Sequence, residues 1–109
     1  DLAKAIVTFG KKSGTRRMFV LPAHKRLDPK KVQNVIGEKI SFVSDVGAEF
    51  DCVPGSVPPF GSTLGIQTYA DNGLEEILNF NIGLLTESVQ LKKEDYVKLE
   101  QPILGSFTE

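Results

Sequence analysis

The chain has 109 residues, 40% of them hydrophobic, 25% charged, with a formal net charge of −1. That size and apolar fraction suit one globular unit around a modest core. One cysteine, Cys52, excludes an internal disulfide and points to a reducing compartment, and one histidine beside it cannot build a zinc cluster. The charge is unevenly spread: residues 1–31 hold nine Lys/Arg against two Asp/Glu, a balance of +7, and residues 32–109 hold four against twelve, a balance of −8. A basic portion beside an acidic body suits a polyanion partner, and equally a dimer surface or a solvated face.

Leu2 to Phe9 reads as a strand whose continuous apolar run suggests burial on both faces. Lys4 stands near its start. It is either a peripheral lysine with a solvated head or a point charge offered to an anion or a carbonyl oxygen. Gly10 to Gly14 is a turn, and Arg16 to Pro22 a second strand paired with the first as a hairpin. His24 has no acid–base partner in sequence; it is structural or exposed on one reading and a ligand contact on the other. Asp28 suits an N-cap, Pro29 a first helical position and Gly37 a C-cap, so a short helix runs to about Ile36. Lys25, Arg26, Lys30 and Lys31 cluster at its start, suited to phosphates or simply to water.

Ile40 to Val43 reads as a short strand and Asp45 to Phe50 as a helical turn. Residues 53–61, Val-Pro-Gly-Ser-Val-Pro-Pro-Phe-Gly, are the most distinctive stretch. Pro54, Pro58 and Pro59 lack amide donors and fix φ, and each pushes its predecessor toward extended geometry. Gly55 and Gly61 admit close backbone approach. The product is a stiff loop of preset shape, either a rigid surface turn or a holder whose free backbone groups face a ligand. Cys52 beside it reads as a buried small hydrophobe: a nucleophilic thiolate needs a base or an electropositive setting, and sequence does not place His24, the one imidazole, next to the thiol. Leu64 to Tyr69 is expected as a strand ending near Asp71, Asn72-Gly73 as a turn, Leu78 to Asn81 and Leu84 to Leu91 as paired strands around Gly83, and Lys93 to Leu99 as a short helix. Ile103 and Leu104 are expected to lead into a frayed tail. Strands outnumber helices, which predicts a mixed α/β domain with a twisted, partly barrel-like sheet and short flanking helices.

Phosphate-binding and dinucleotide Gly-rich motifs are absent. Chemistry would rest on positioned backbone groups, a lysine and water, which is reasonable for an activated ester. The ordered set of Lys4 in Leu2-Ala3-Lys4-Ala5-Ile6-Val7, Lys25 to Lys31, Val53 to Gly61, Tyr69-Ala70-Asp71 and Asn79 to Gly83 resembles the YbaK/ProX-type aminoacyl-tRNA editing domain, also found inserted in bacterial prolyl-tRNA synthetases. The resemblance covers nearly the whole chain, with the family's Gly-x-x-x-Pro motif on Gly55 and Pro59 and its lysine on Lys4.

It implies one editing domain over residues 1–109, starting after an N-terminal helical segment that family members usually carry. The implied reaction is hydrolysis of the ester joining a mischarged amino acid to the 3′ end of tRNA by a substrate-assisted water. Lys4 and Gly55 would carry the catalysis. Ser56, Val57, Pro58, Pro59, Phe60, Asp71, Gly83 and His24 would hold the substrate, and Lys25, Arg26, Lys30 and Lys31 would contact tRNA. The resemblance implies no metal or cofactor, a cytoplasmic setting, no membrane or DNA partner, and an aminoacyl-tRNA synthetase or fused domain as a second partner. The competing reading is a catalytically silent module of a larger protein that binds the tRNA end or regulates.

Overall fold

The computed structural model describes residues 2–44, 46, 59–82 and 87–109. Strands β1 (Ala3–Gly10) and β2 (Arg16–Pro22) form the expected antiparallel hairpin, in register from Ala3 opposite Pro22 to Phe9 opposite Arg16. Helix α1 (Pro29–Ile36) follows, then β3 (Ile40–Phe42), β4 (Gln67–Asp71), β5 (Ile77–Ile82), β6 (Glu87–Lys92), helix α2 (Lys93–Glu100) and β7 (Ile103–Gly105). The main sheet has the order β3-β1-β2-β4-β7, with β4 parallel to both β2 and β7. The β5–β6 hairpin is a second sheet, joined to the first by a parallel bridge between Leu2 and Asn79. The architecture is the expected mixed α/β one, a central sheet with short flanking helices.

Side chains alternate across a strand, so β1 and β2 feed two cores. Ala3, Val7, Met18 and Val20 pack with Ala70, Leu78, Phe80 and Tyr96 on one face; Phe19, Leu21, Tyr69 and Phe107 pack with Val32 of α1 on the other. Burial on both faces of the first strand is therefore observed. Helix α1 is built as its sequence predicts: Asp28 accepts the amides of Lys30 and Lys31, Pro29 opens it, and Gly37 closes it at φ 82°.

Two expectations fail. Leu64 is not in a strand: Gly61–Leu64 form a 3-10 turn ended by Gly65 at φ 74°, and β4 begins only at Gln67. The apolar pattern of Leu64 and Ile66 is met by packing against the first core instead. Nor is the C-terminal tail frayed. β7 pairs with β4, Thr108 bridges Leu27, and Phe107 is 1% exposed, its ring 5.4 Å from Phe19 and 5.9 Å from Tyr69. The helical turn expected at Asp45–Phe50 lies, apart from Val46, outside the described residues. Among the described residues no helix is long and apolar enough to cross a membrane.

Candidate active site

Gly55, Ser56, Val57, Pro58, Gly83 and Cys52 lie outside the described residues. The C-terminal end of the proline-rich stretch is described, and α2 holds it. The Tyr96 hydroxyl donates to the Pro59 carbonyl, and the Phe60 ring lies 5.3 Å from that of Tyr96. One residue on, the Gly61 amide donates to Thr68 Oγ1 at 2.8 Å. Thr68 Oγ1 in turn donates to Glu100 Oε2 at 2.6 Å. Glu100 also accepts the Ser62 amide at 3.0 Å and the Ser62 hydroxyl at 2.6 Å. A Cβ on Gly61 would stand 2.4 Å from Thr68 Oγ1 and 2.9 Å from the Ile66 carbonyl oxygen, so only glycine fits there.

Tyr96 is fully buried, and a buried phenol needs an acceptor. Burial first, and the charge of Glu100 second, push its hydroxyl above the ordinary tyrosine range, so it stays a proton donor. Sequence reasoning missed Tyr96, Glu100, Ser62 and Thr68. The one signal available was an aromatic residue in the mostly charged helix Lys-Glu-Asp-Tyr-Val-Lys-Leu-Glu.

Lys4 is half-buried in β1 opposite Leu21. Ala3, Ala5 and Val7 face the core that holds Tyr96 and Phe60, so alternation puts the Lys4 side chain on the other face, with Ile6. Pro59 and Phe60 are thus brought together with Tyr96, and Lys4 is not on their face. Its strand is bordered by the Leu2–Asn79 bridge at one end and by the Val43 amide on the Val7 carbonyl (3.0 Å) at the other. Among the described residues nothing pairs with its ammonium.

Asp71 is buried, and both its oxygens are engaged by backbone: Oδ1 accepts the Phe107 amide and Oδ2 the Gly73 amide, each at 2.8 Å. It fastens the turn after β4 to the tail. His24 is exposed beside a cleft of about 10 Å³ shared with Leu2, Pro22 and Leu74, room for at most a water. Lys31 reaches the Thr108 carbonyl at 2.7 Å and Ser106 Oγ at 3.4 Å, while Lys25, Arg26 and Lys30 are exposed.

The basic residues divide. Lys25, Arg26 and Lys30 follow the end of β2, whereas Lys11, Lys12 and Arg16 lie at its start, where the Lys11 amide bonds the Lys39 carbonyl. Seven residues of strand separate the two groups by roughly 20 Å. The surplus near the N-terminus is therefore spread over both ends of β2. A wider cleft, about 720 Å³, lies between α2 and the start of β5, lined by Glu76, Ile77, Lys92, Lys93, Val97 and Lys98 among others. None of the residues singled out from sequence lines it. Among the described residues no cluster of His, Cys, Asp or Glu is fit to hold a metal ion.

The family model for the aminoacyl-tRNA editing domain matches residues 1–99. The multifunctional Ser/Thr-tRNA deacylase ProXp-y of Escherichia coli strain K12 is 32% identical over 113 residues, spanning 96% of this chain and 68% of that protein. The fold matches the crystal structure of the hypothetical protein APE2540 with a TM-score of 0.87 at 17% identity, over 99% of this chain and 74% of that one. It matches a candidate trans-editing enzyme for prolyl tRNA synthetase with a TM-score of 0.81 at 20% identity, over 99% and 70% of the two chains.

Proposed function

Since the chain belongs to the aminoacyl-tRNA editing domain family, whose class of reaction is tRNA deacylation, we propose that it hydrolyses the ester of mischarged tRNA, with seryl- and threonyl-tRNA as first candidates. The observation that carries this reading is the family match across residues 1–99, together with a tRNA deacylase relative at 32% identity. A water oxygen attacks the ester carbonyl carbon. The bond to the terminal ribose oxygen breaks, that oxygen takes a proton, and the free amino acid leaves. The substrate orients the water, and no covalent enzyme intermediate forms.

In this proposal Gly55 and its neighbours Ser56, Val57 and Pro58 hold the aminoacyl end through backbone groups, and Gly83 and His24 complete its surroundings. Pro59 and Phe60 fix the exit of that loop, which the bonds from α2 support. Lys4 supplies positive charge near the carbonyl or the terminal phosphate, reaching around the edge of β1 from the neighbouring face. Asp71 acts at a distance, by fastening β4 to the tail. Lys25, Arg26 and Lys30 meet the tRNA backbone, and a synthetase or fused domain strengthens the hold. No metal or cofactor enters.

The test is single-turnover hydrolysis over a panel of seryl-, threonyl-, alanyl-, cysteinyl- and prolyl-tRNA, with Lys4→Ala alongside. Loss of one oriented contact of this kind typically costs about 2.7–4 kcal/mol, or roughly 10²–10³ in rate. Folded Lys4→Ala at the parental rate would reject the role given to Lys4. A parent that binds tRNA ends yet deacylates nothing on the panel would leave the silent module standing.

A further inference from the structure

The proline-rich stretch and α2 meet in a set of contacts that neither segment makes for itself. Helix α2 has no side-chain cap at its start, where Lys92 stands, and ends at Gln101 in the left-handed region at φ 51°. From it Tyr96 bonds the carbonyl of Pro59, and Glu100 binds Ser62 twice and Thr68 once. Thr68 passes the grip to the Gly61 amide. Glu100 is charged, and among the described residues no cation pairs with it. Among the described residues its charge is met by two hydroxyls and one amide, on Ser62 and Thr68. A carboxylate held in this way fixes geometry closely, because each donor has one place to stand.

We propose that Tyr96 and Glu100 are positioning residues for the deacylation site: they set where the Pro59–Gly61 end of the substrate-holding loop lies, and through it the fit of the aminoacyl ester. This rests on the deacylase reading above. Neither residue touches substrate. Tyr96 fixes the backbone of Pro59, and Glu100, about one helical turn further on, fixes Ser62 directly and Gly61 through Thr68. Small displacements at such a site cost rate because the reacting groups must meet within a narrow range of distance.

The experiment compares the parent with Tyr96→Phe, Glu100→Gln, Glu100→Ala and Val32→Ala, the last a core change under α1 that lowers stability away from the loop. Melting temperature, affinity for uncharged tRNA and single-turnover hydrolysis of seryl- or threonyl-tRNA are read for each. Tyr96→Phe keeps the buried ring and loses only the donor; it is expected to slow hydrolysis roughly 10-fold with tRNA affinity unchanged. Glu100→Gln, which keeps one acceptor oxygen, should fall between Glu100→Ala and the parent. Val32→Ala should hydrolyse at the parental rate. Parental rates in folded Tyr96→Phe and Glu100→Ala would overturn the positioning role and leave the deacylase reading intact. A loss in Val32→Ala equal to that in Tyr96→Phe at matched melting temperature would overturn it too, as general destabilisation. A parent that deacylates none of the tRNAs overturns the deacylase reading instead. Affinity for a 3′-amide-linked seryl-adenosine then reads the positioning, and equal affinity in parent and Tyr96→Phe overturns that as well.

Discussion

Helices α1 and α2 are each eight residues long, and beside each a glutamate grips a serine. Glu38, just past α1, accepts the Ser13 amide at 2.9 Å, the Ser13 hydroxyl at 2.6 Å and the Lys12 amide at 3.0 Å, closing the β1–β2 turn. Glu100, the last residue of α2, takes the Ser62 amide and hydroxyl in the same manner. The surroundings differ. Glu38 has a cation, Arg17, at 3.3 Å, and its helix carries its own caps in Asp28 and Gly37. Glu100 has buried Tyr96 as its neighbour in the helix, and α2 lacks a side-chain cap. The first unit is closed by its own caps; the second is held by contacts distant in sequence, to Pro59 and Ser62 on the loop side and from Lys93 to the Glu76 and Leu74 carbonyls at its start. A helix fixed by its own caps suits a scaffold. One fixed by a loop ties its position to whatever that loop does.

The largest effect expected from breaking the contrast is at α1. Asp28→Ala removes the acceptor for the Lys30 and Lys31 amides and should lower stability by about 1 kcal/mol, within the usual range of about 0.5–2. Chemical denaturation measures it. Hydrolysis by the folded variant should be unchanged, since α1 packs on the core away from Pro59 and Phe60. A slowed rate at full folding would erase the distinction between the two helices.

A second effect is confined to acid. The Ser13 hydroxyl, above all, and then the Ser13 amide hold the Glu38 carboxyl at about 2, with the Lys12 amide and Arg17 adding to them and desolvation opposing. The unfolded chain binds that proton near the ordinary value of 4.5. The folded state's pKa is the lower one, so the clamp's contribution is complete above the unfolded value. It is lost as pH falls from about 4.5 toward about 2. Glu38→Gln should flatten this part of a stability–pH curve. An unaltered acid limb would mean that the clamp does not hold Glu38 in solution.

The same contrast decides what could be read before folding. Asp28, Pro29 and Gly37 announce α1 because a cap acts on its own next few residues. The β1–β2 hairpin was legible for a like reason, its strands being separated only by a Gly-bounded turn. Lys4 and the Gly55–Pro59 motif stood out through family resemblance, which carries the pattern without its geometry; the placement of Lys4 across β1 from Phe60 follows only from register. Tyr96 and Glu100 could not be found, because their partners lie 37 residues (Pro59) and 32 to 38 residues (Thr68, Ser62) away. Phe107 escaped similarly: it follows a strand of three residues, too few positions to show a period, and its burial depends on β4 and α1 standing ready to receive it.

The smallest expected effect sharpens the comparison by giving α2 an end like that of α1. Gln101 sits at φ 51° with its amide on the Val97 carbonyl at 2.9 Å, the place where α1 has Gly37 at φ 82°. A side chain in the left-handed region costs about 1–2 kcal/mol. Glycine relieves that strain, while its freedom in the unfolded chain returns about 0.5–1. Gln101→Gly should therefore stabilise by about 0.5 kcal/mol, a small upward shift of the denaturation midpoint. Gln101 is exposed, so no packing is lost to offset the gain. If Glu100 and Tyr96 hold α2 through the loop, a better local cap should leave hydrolysis as it was, because the loop contacts keep their places. A stabilised variant with a changed rate would show instead that the strained end of α2 is coupled to the site, and α2 would then be tuned by its own terminus as well as by its grip on Pro59.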